Sequence, residues 1–235
     1  PVRLHERLDR VRNTPDPNLL VWFDTSDAAG VYKLDDLPAE WREEVDSVLD
    51  VFREQKDTIL AEIDETLTLD PDDVRSKITP RTKAIMLVHM LGNPGRLQEI
   101  RDLARKHNLN LVEDSAQSFG ATYRGKPVGV HGDIGTFSFN FYKTITAGDG
   151  GAVVMKDEDL YRRAFAIHDQ GHLPLRDGVE QGSRALLGLN FKMTELTAAV
   201  LLAQLKRVDT LTQDLKTRKK RFKDGIKDLS GLTFR

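Results

Sequence analysis

Apolar residues along the chain change their period several times, and each change marks an element. From Leu37 to Phe52, Trp41, Val45, Val48, Leu49 and Phe52 recur at helical spacing behind an early proline, which predicts a helix. Ala84 to Val88 is a short, wholly apolar run of strand type. Leu97, Ile100, Leu103 and Ala104 then mark one helical face, and Leu109 to Val112 reads as a second strand. Strand, helix, strand in that order predicts a parallel pair joined by a right-handed crossover. Ahead of them, Asp70-Pro-Asp-Asp-Val reads as a helix start, with carboxylates at the positive end of the helix dipole.

Further on, Ile134 to Phe139 alternates, with Phe137 and Phe139 on one face and Ser138 on the other. Between Gly120 and Gly132 the pattern is rich in turns, with Arg124-Gly-Lys as a hairpin tip. Ala147-Gly-Asp-Gly-Gly151 turns into a strand over Ala152 to Met155, and Asp157 starts a helix carrying Leu160, Tyr161, Ala164 and Phe165. The long polar stretch from His168 to Leu187 reads as a lid, an inter-subunit arm or a merely disordered segment, with the first two favoured because loops of this length usually serve a function. Met193 to Leu211 predicts an amphipathic helix whose Leu196, Val200, Ala203, Gln204 and Val208 share a stripe that core packing would bury. Residues 1–36 combine a basic helix-like start, a Pro-Asp-Pro break and a short apolar run from Leu19 to Phe23. Asp24 and Asp27 after that run read as turn carboxylates. Strands and helices in this alternation put the chain in the α/β class.

Composition narrows the picture. The 35 basic and 37 acidic residues leave a net charge of −2, so no nucleic-acid footprint is expected, and the basic run Lys216 to Lys227 reads as a solvated face. The absence of cysteine excludes disulfides and thiolate metal sites. His168 and His172 are four residues apart, yet that spacing serves a metal only on a helix, and Gly171 argues against one; no metal is expected. No apolar run approaches the ~18 residues of a membrane span, and no signal-peptide core follows the charged start. A cytoplasmic location is the expectation.

The chemistry gathers between Val112 and Met155. In open parallel sheets, ligands bind beyond the carboxyl ends of the strands, and Asp114 lies there. Gln117 follows three residues on, and Lys143 stands between an aromatic strand and the glycine turn. A lysine and a buried-edge acid suit pyridoxal phosphate, which needs an amine for a Schiff base and a carboxylate to keep its ring nitrogen protonated. The blander alternatives are a solvated surface amine for Lys143 and a turn or cap acid for Asp114.

Three ordered blocks decide between these readings: Glu113 to Gly125 (EDSAQSFGATYRG), Gly132 to Phe139 (GDIGTFSF) and Lys143 to Gly151 (KTITAGDGG). Together with Gly188-Leu-Asn-Phe-Lys-Met-Thr-Glu-Leu196 they resemble the sugar-aminotransferase family named after DegT, DnrJ, EryC and StrS, over about Ile63 to Asp209.

That resemblance implies the large domain of a fold-type I pyridoxal-phosphate enzyme: a mixed, mainly parallel sheet flanked by helices. Residues 1–58 are then an atypical N-terminal region with the leading helix, 59–215 the cofactor-binding domain, and 216–235 the start of a smaller C-terminal domain that is largely missing. Also missing is the family's Ser-Gly-Thr helix start that cups the cofactor phosphate; the chain passes from Phe52 through REQKDT directly to Ile59. By the same resemblance Lys143 forms the Schiff base and shuttles a proton, and Asp114 pairs with the pyridine nitrogen. Gln117 lies by the ring face or its hydroxyl, and Ser138 donates to the phosphate. Asn190 reaches a partner's phosphate across a homodimer interface, or else is merely a helix-start signal. The implied reaction moves an amino group from glutamate or glutamine to a keto sugar, either nucleotide-linked or an eight-carbon keto-sugar acid. Related sugar dehydratases carry histidine at the position of Lys143. A non-catalytic paralogue or fragment that keeps the dimer surface is the other alternative.

Overall fold

The computed structural model describes residues 58–174, 186–231 and 234, together with the backbone of two short strands near the N-terminus. The chain divides into two units, Pro1–Thr58 and Ile59–Arg235. In the first, β1 (Leu19–Leu20) pairs antiparallel with β2 (Tyr32–Lys33). The helix expected over 37–52, the carboxylates Asp24 and Asp27 and most of the 168–187 loop lie outside the described residues.

The second unit opens with α1 (Pro71–Lys77), built as its sequence requires. The Asp70 carboxylate accepts from the N–H of Asp72 at 2.9 Å, Pro71 needs no N–H partner at the first turn, and Pro71 and Val74 are buried. Next come β3 (Ala84–Val88), α2 (Leu97–Lys106) and β4 (Asn110–Asp114). β3 and β4 are parallel, in register from Ala84 opposite Asn110 to Val88 opposite Asp114. Ile85, Leu87 and Leu111 point to one side of the sheet, where Leu97, Ile100, Leu103 and Ala104 of α2 and Val74 of α1 close over them. Each fully buried aliphatic side chain there contributes about 1.5–3 kcal/mol, so this layer is what holds the carboxyl ends of β3 and β4 in place.

A two-residue hairpin follows, β5 (Thr122–Tyr123) against β6 (Lys126–Pro127), with Arg124 at φ 49° and Gly125 at φ 77° making the turn. β7 (Ile134–Ser138) then joins β4 in parallel, with Asp114 opposite Thr136, and β8 (Gly151–Met155) returns antiparallel beside β7. The sheet order is β3-β4-β7-β8, mixed and mainly parallel. Phe137 and Phe139 both meet Phe119 edge-on, at 5.6 and 5.7 Å, so they do share a face and Ser138 takes the other. α3 (Glu158–His168) starts where Asp157 accepts from the N–H of Leu160.

The helix expected over 193–211 is corrected. Two helices stand there, α4 (Glu195–Leu205) and α5 (Val208–Ile226), broken at Lys206 and Arg207. Neither has a buried residue, and Leu196 is 82% exposed where core packing was expected. The reason lies in the composition of α4, ELTAAVLLAQL: its apolar residues surround the helix instead of forming one stripe, so no single face selects a core. α5 runs without interruption across residue 216.

Candidate active site

Asp114 is the last residue of β4 and is half-buried. One of its carboxylate oxygens accepts from the N–H of Ala116 at 2.9 Å, so the acid also organises the turn that follows it. Because Asp114 is opposite Thr136 and side chains alternate along a strand, Asp114, Thr136 and Ser138 lie on one face at the carboxyl edge of the sheet. The Ser138 oxygen accepts a long 3.3 Å bond from the N–H of Asn140, which leaves its own proton to donate elsewhere.

Lys143 sits in the loop between β7 and β8, and that loop is tied down at both ends. The N–H of Phe139 donates to Gly150 at 2.8 Å, the N–H of Ala147 donates to Phe139 at 2.9 Å, and the N–H of Lys143 itself donates to Asn140 at 3.0 Å. Ile145, two residues on, is fully buried and anchors the loop. The Lys143 side chain is half-buried, and its amine makes no hydrogen bond or ion pair among the described residues. A nucleophilic amine on a fixed loop, at the same edge of the sheet as the carboxylate that ends β4, is what Schiff-base chemistry requires.

Gln117 is exposed, and its side-chain oxygen accepts from the N–H of Leu91 at 3.3 Å, so it bridges the segments that leave β3 and β4. Asn190 is exposed and forms an isolated bridge to Asp169 at the end of α3. It does not cap a helix. That role belongs to Thr194, whose hydroxyl accepts from the N–H of Thr197 at 3.2 Å. The segment nevertheless reaches the same edge, because the Met193 methyl lies 2.8 Å from where a Cβ on Gly150 would stand.

A buried pair was not singled out from the sequence. The side chains of Glu113 and His89 are wholly buried, with Nε2 of His89 2.8 Å from Oε2 of Glu113. The same carboxylate accepts from the N–H groups of Gly129 at 2.8 Å, His131 at 2.6 Å and Gly132 at 2.5 Å. Burial alone would push the carboxyl up, but the His89 hydrogen bond and the amides of Gly132 and Gly129 outweigh it and bring its pKa down to about 2. The N–H of His89 donates in turn to the carbonyl of Asp114 at 3.0 Å. Glu113 thus fastens the end of β3 and the 129–132 loop around the strand that presents Asp114. A signal was available: in the alternating strand NLVED, Glu113 falls on the same side as Leu111, and a core-facing acid must find donors.

The profile of the DegT/DnrJ/EryC1/StrS aminotransferase family matches residues 47–234. The chain belongs to that family. GDP-perosamine synthase of Escherichia coli O157:H7 is 45% identical over 145 residues, which are 62% of this chain and 39% of that protein. Helicobacter pylori PseC, an aminotransferase involved in the biosynthesis of pseudoaminic acid, superposes with a TM-score of 0.68 at 31% identity, covering 73% of this chain and 46% of that one. The E. coli GDP-4-keto-6-deoxy-D-mannose-3-dehydratase with bound hydrated PLP gives a TM-score of 0.65 at 30% identity, covering 72% and 47%. The chain therefore spans less than half the length of these relatives, and the shared part has the fold of a fold-type I pyridoxal-phosphate enzyme.

The residues present fit the family's cofactor at its ring and aldehyde ends, where Asp114 offers a carboxylate and Lys143 an unengaged amine. At the same edge Ser138 offers a hydroxyl proton, and no Ser-Gly-Thr run stands between Phe52 and Ile63.

Proposed function

We propose that this chain is the cofactor-binding part of a pyridoxal-phosphate-dependent sugar aminotransferase, which moves an amino group from glutamate or glutamine to a keto sugar. Residues 59–215 form the cofactor domain, and 216–235 lead into the smaller domain. The observation that carries the reading is the unengaged Lys143 amine, held on an anchored loop at the edge where Asp114 and Ser138 share a face.

When bound, pyridoxal phosphate supplies an aldehyde for covalent attachment and a ring that draws electrons from the reacting carbon. Lys143 Nζ would hold that aldehyde and would carry the proton that the donor's Cα gives up. Asp114 would pair with the ring nitrogen and keep it protonated, and its turn bond to Ala116 restrains the carboxylate. Ser138 would donate to the phosphate, and Gln117 would serve the ring or its hydroxyl. In a homodimer with composite sites, Asn190 would serve the phosphate of the second copy. Both keto-sugar classes, nucleotide-linked and eight-carbon acid, are compatible with these residues. A lysine rather than a histidine at position 143 supports the aminotransferase over the dehydratase reading. No described helix is long and apolar enough to cross a membrane, and with the cysteine-free composition this supports a cytoplasmic enzyme.

The test is borohydride reduction of the chain mixed with pyridoxal phosphate, followed by peptide mapping. A phosphopyridoxyl label on Lys143, lost in Lys143→Ala and kept in Lys219→Ala, is expected. An unlabelled parent chain would point instead to the non-catalytic paralogue, for which the absent phosphate cup speaks.

A further inference from the structure

At the opposite end of the sheet, where β4 and β7 begin and β8 ends, lies a cavity of about 600 Å³. It is separated from Asp114 by the length of β4, roughly 13 Å at ~3.3 Å per residue. Arg101 and Arg105 line it from successive turns of α2, Lys156 from the end of β8, and His131 from the loop before β7. Two arginines at i and i+4 repel each other on a helix unless something of opposite charge is shared between them.

Nothing among the described residues plays that part. The side chains of Arg101, Arg105 and Lys156 make no hydrogen bond or ion pair there, and Nε2 of His131 is shielded from solvent without a hydrogen-bond partner. Two acids also line the cavity, but each is engaged with backbone. Asp133 accepts from the N–H of Leu111 at 2.7 Å, and Asp157 accepts from the N–H of Leu160 at 2.7 Å. Neighbouring Asp102, on α2, accepts from Gln98 at 2.9 Å. Three cations against two carboxylates, each of which already accepts a backbone N–H, thus leave an excess of positive charge around a space in the usual size range of a small-molecule site, and the space is larger than an inorganic ion needs.

We propose that this cavity binds a phosphorylated polar metabolite of sugar-phosphate size. Arg101 and Arg105 grip the phosphoryl oxygens, and Lys156 completes the oxyanion cradle. Guanidinium forks match phosphoryl oxygens two at a time, which explains arginine in place of lysine on α2.

Glucose 1-phosphate is titrated calorimetrically into the 235-residue chain at constant ionic strength, with glucose as the neutral comparison. Saturable binding of the phosphate ester and none of glucose is expected. Arg101→Gln/Arg105→Gln should weaken it at least tenfold, Lys156→Gln about threefold, and Ser138→Ala not at all, because Ser138 belongs to the other end of the sheet. Should the double variant lose its far-UV CD spectrum, the Lys156→Gln result decides alone. Unchanged affinity in the arginine variant (or, failing that, in Lys156→Gln), loss of binding in Ser138→Ala, equal binding of glucose, or no saturable binding by the parent would each overturn the assignment.

Discussion

Replacing Glu113 by Gln keeps the shape of the side chain and removes its charge at a point where four donors converge: Nε2 of His89 and the N–H groups of Gly129, His131 and Gly132. An amide has one acceptor oxygen. Its NH₂ group would face at least one of those backbone N–H groups, donor against donor, with no solvent to absorb the mismatch. Breaking one partner of a buried charged network typically costs about 3–5 kcal/mol, and that is the expected loss in Glu113→Gln. Linkage gives an independent check. The folded-state pKa of about 2 lies below the ordinary value of 4.5, so the ion's contribution is fully present above 4.5 and is lost as pH falls through 2. The shift corresponds to about 3 kcal/mol, of which less than half remains at pH 3. Guanidinium unfolding of parent and variant at pH 7 and pH 3 measures both quantities. The gap between the two proteins should shrink by roughly 2 kcal/mol at the lower pH. A gap under about 1 kcal/mol at pH 7, or one that does not change with pH, would refute the view that an ionised Glu113 fastens this part of the fold.

Asp114→Asn should leave the Lys143 label intact while slowing the amino-donor half-reaction by at least ~100-fold, the scale seen when a group that stabilises developing charge is removed; single-turnover spectroscopy with glutamate measures it. Ser138→Ala should weaken pyridoxal-phosphate affinity about 10- to 100-fold, as expected for ~1.5–3 kcal/mol of hydrogen bonding to a charged group, read by equilibrium titration. Gly135→Ala should destabilise the chain by more than ~2 kcal/mol in the same guanidinium assay, because its Cβ would stand 1.9 Å from the carbonyl oxygen of Gly129, and a rigid backbone oxygen cannot yield.

The period of apolar residues was enough to place Ala84–Val88, the buried face of α2 and the parallel β3–β4 pair, because a strand and a helix bury faces that recur every two or about 3.6 residues. Residue chemistry was likewise enough to bring Asp114 and Lys143 forward, and the caps at Asp70 and Asp157 follow from local hydrogen bonding alone. Alternation even placed Ser138 on the face away from Phe137 and Phe139. These features depend on residues close in sequence.

What the tertiary structure decided involves partners far apart along the chain. His89 lies 24 residues from Glu113, and Gly132 lies 19 beyond it, so no periodicity links them; only the pairing of β3 with β4 and of β4 with β7 brings their polar groups to one carboxylate. The fate of α4 was set the same way. An apolar sequence records a need for burial but not what will cover it, and in this chain Leu196 stays 82% exposed, while Met86 and Val153 on the open face of the sheet are 60% and 56% exposed. The cationic cavity beneath β4 arises because α2, the 131–133 loop and the end of β8 meet there. Three segments scattered over more than fifty residues share one space only after the sheet has formed.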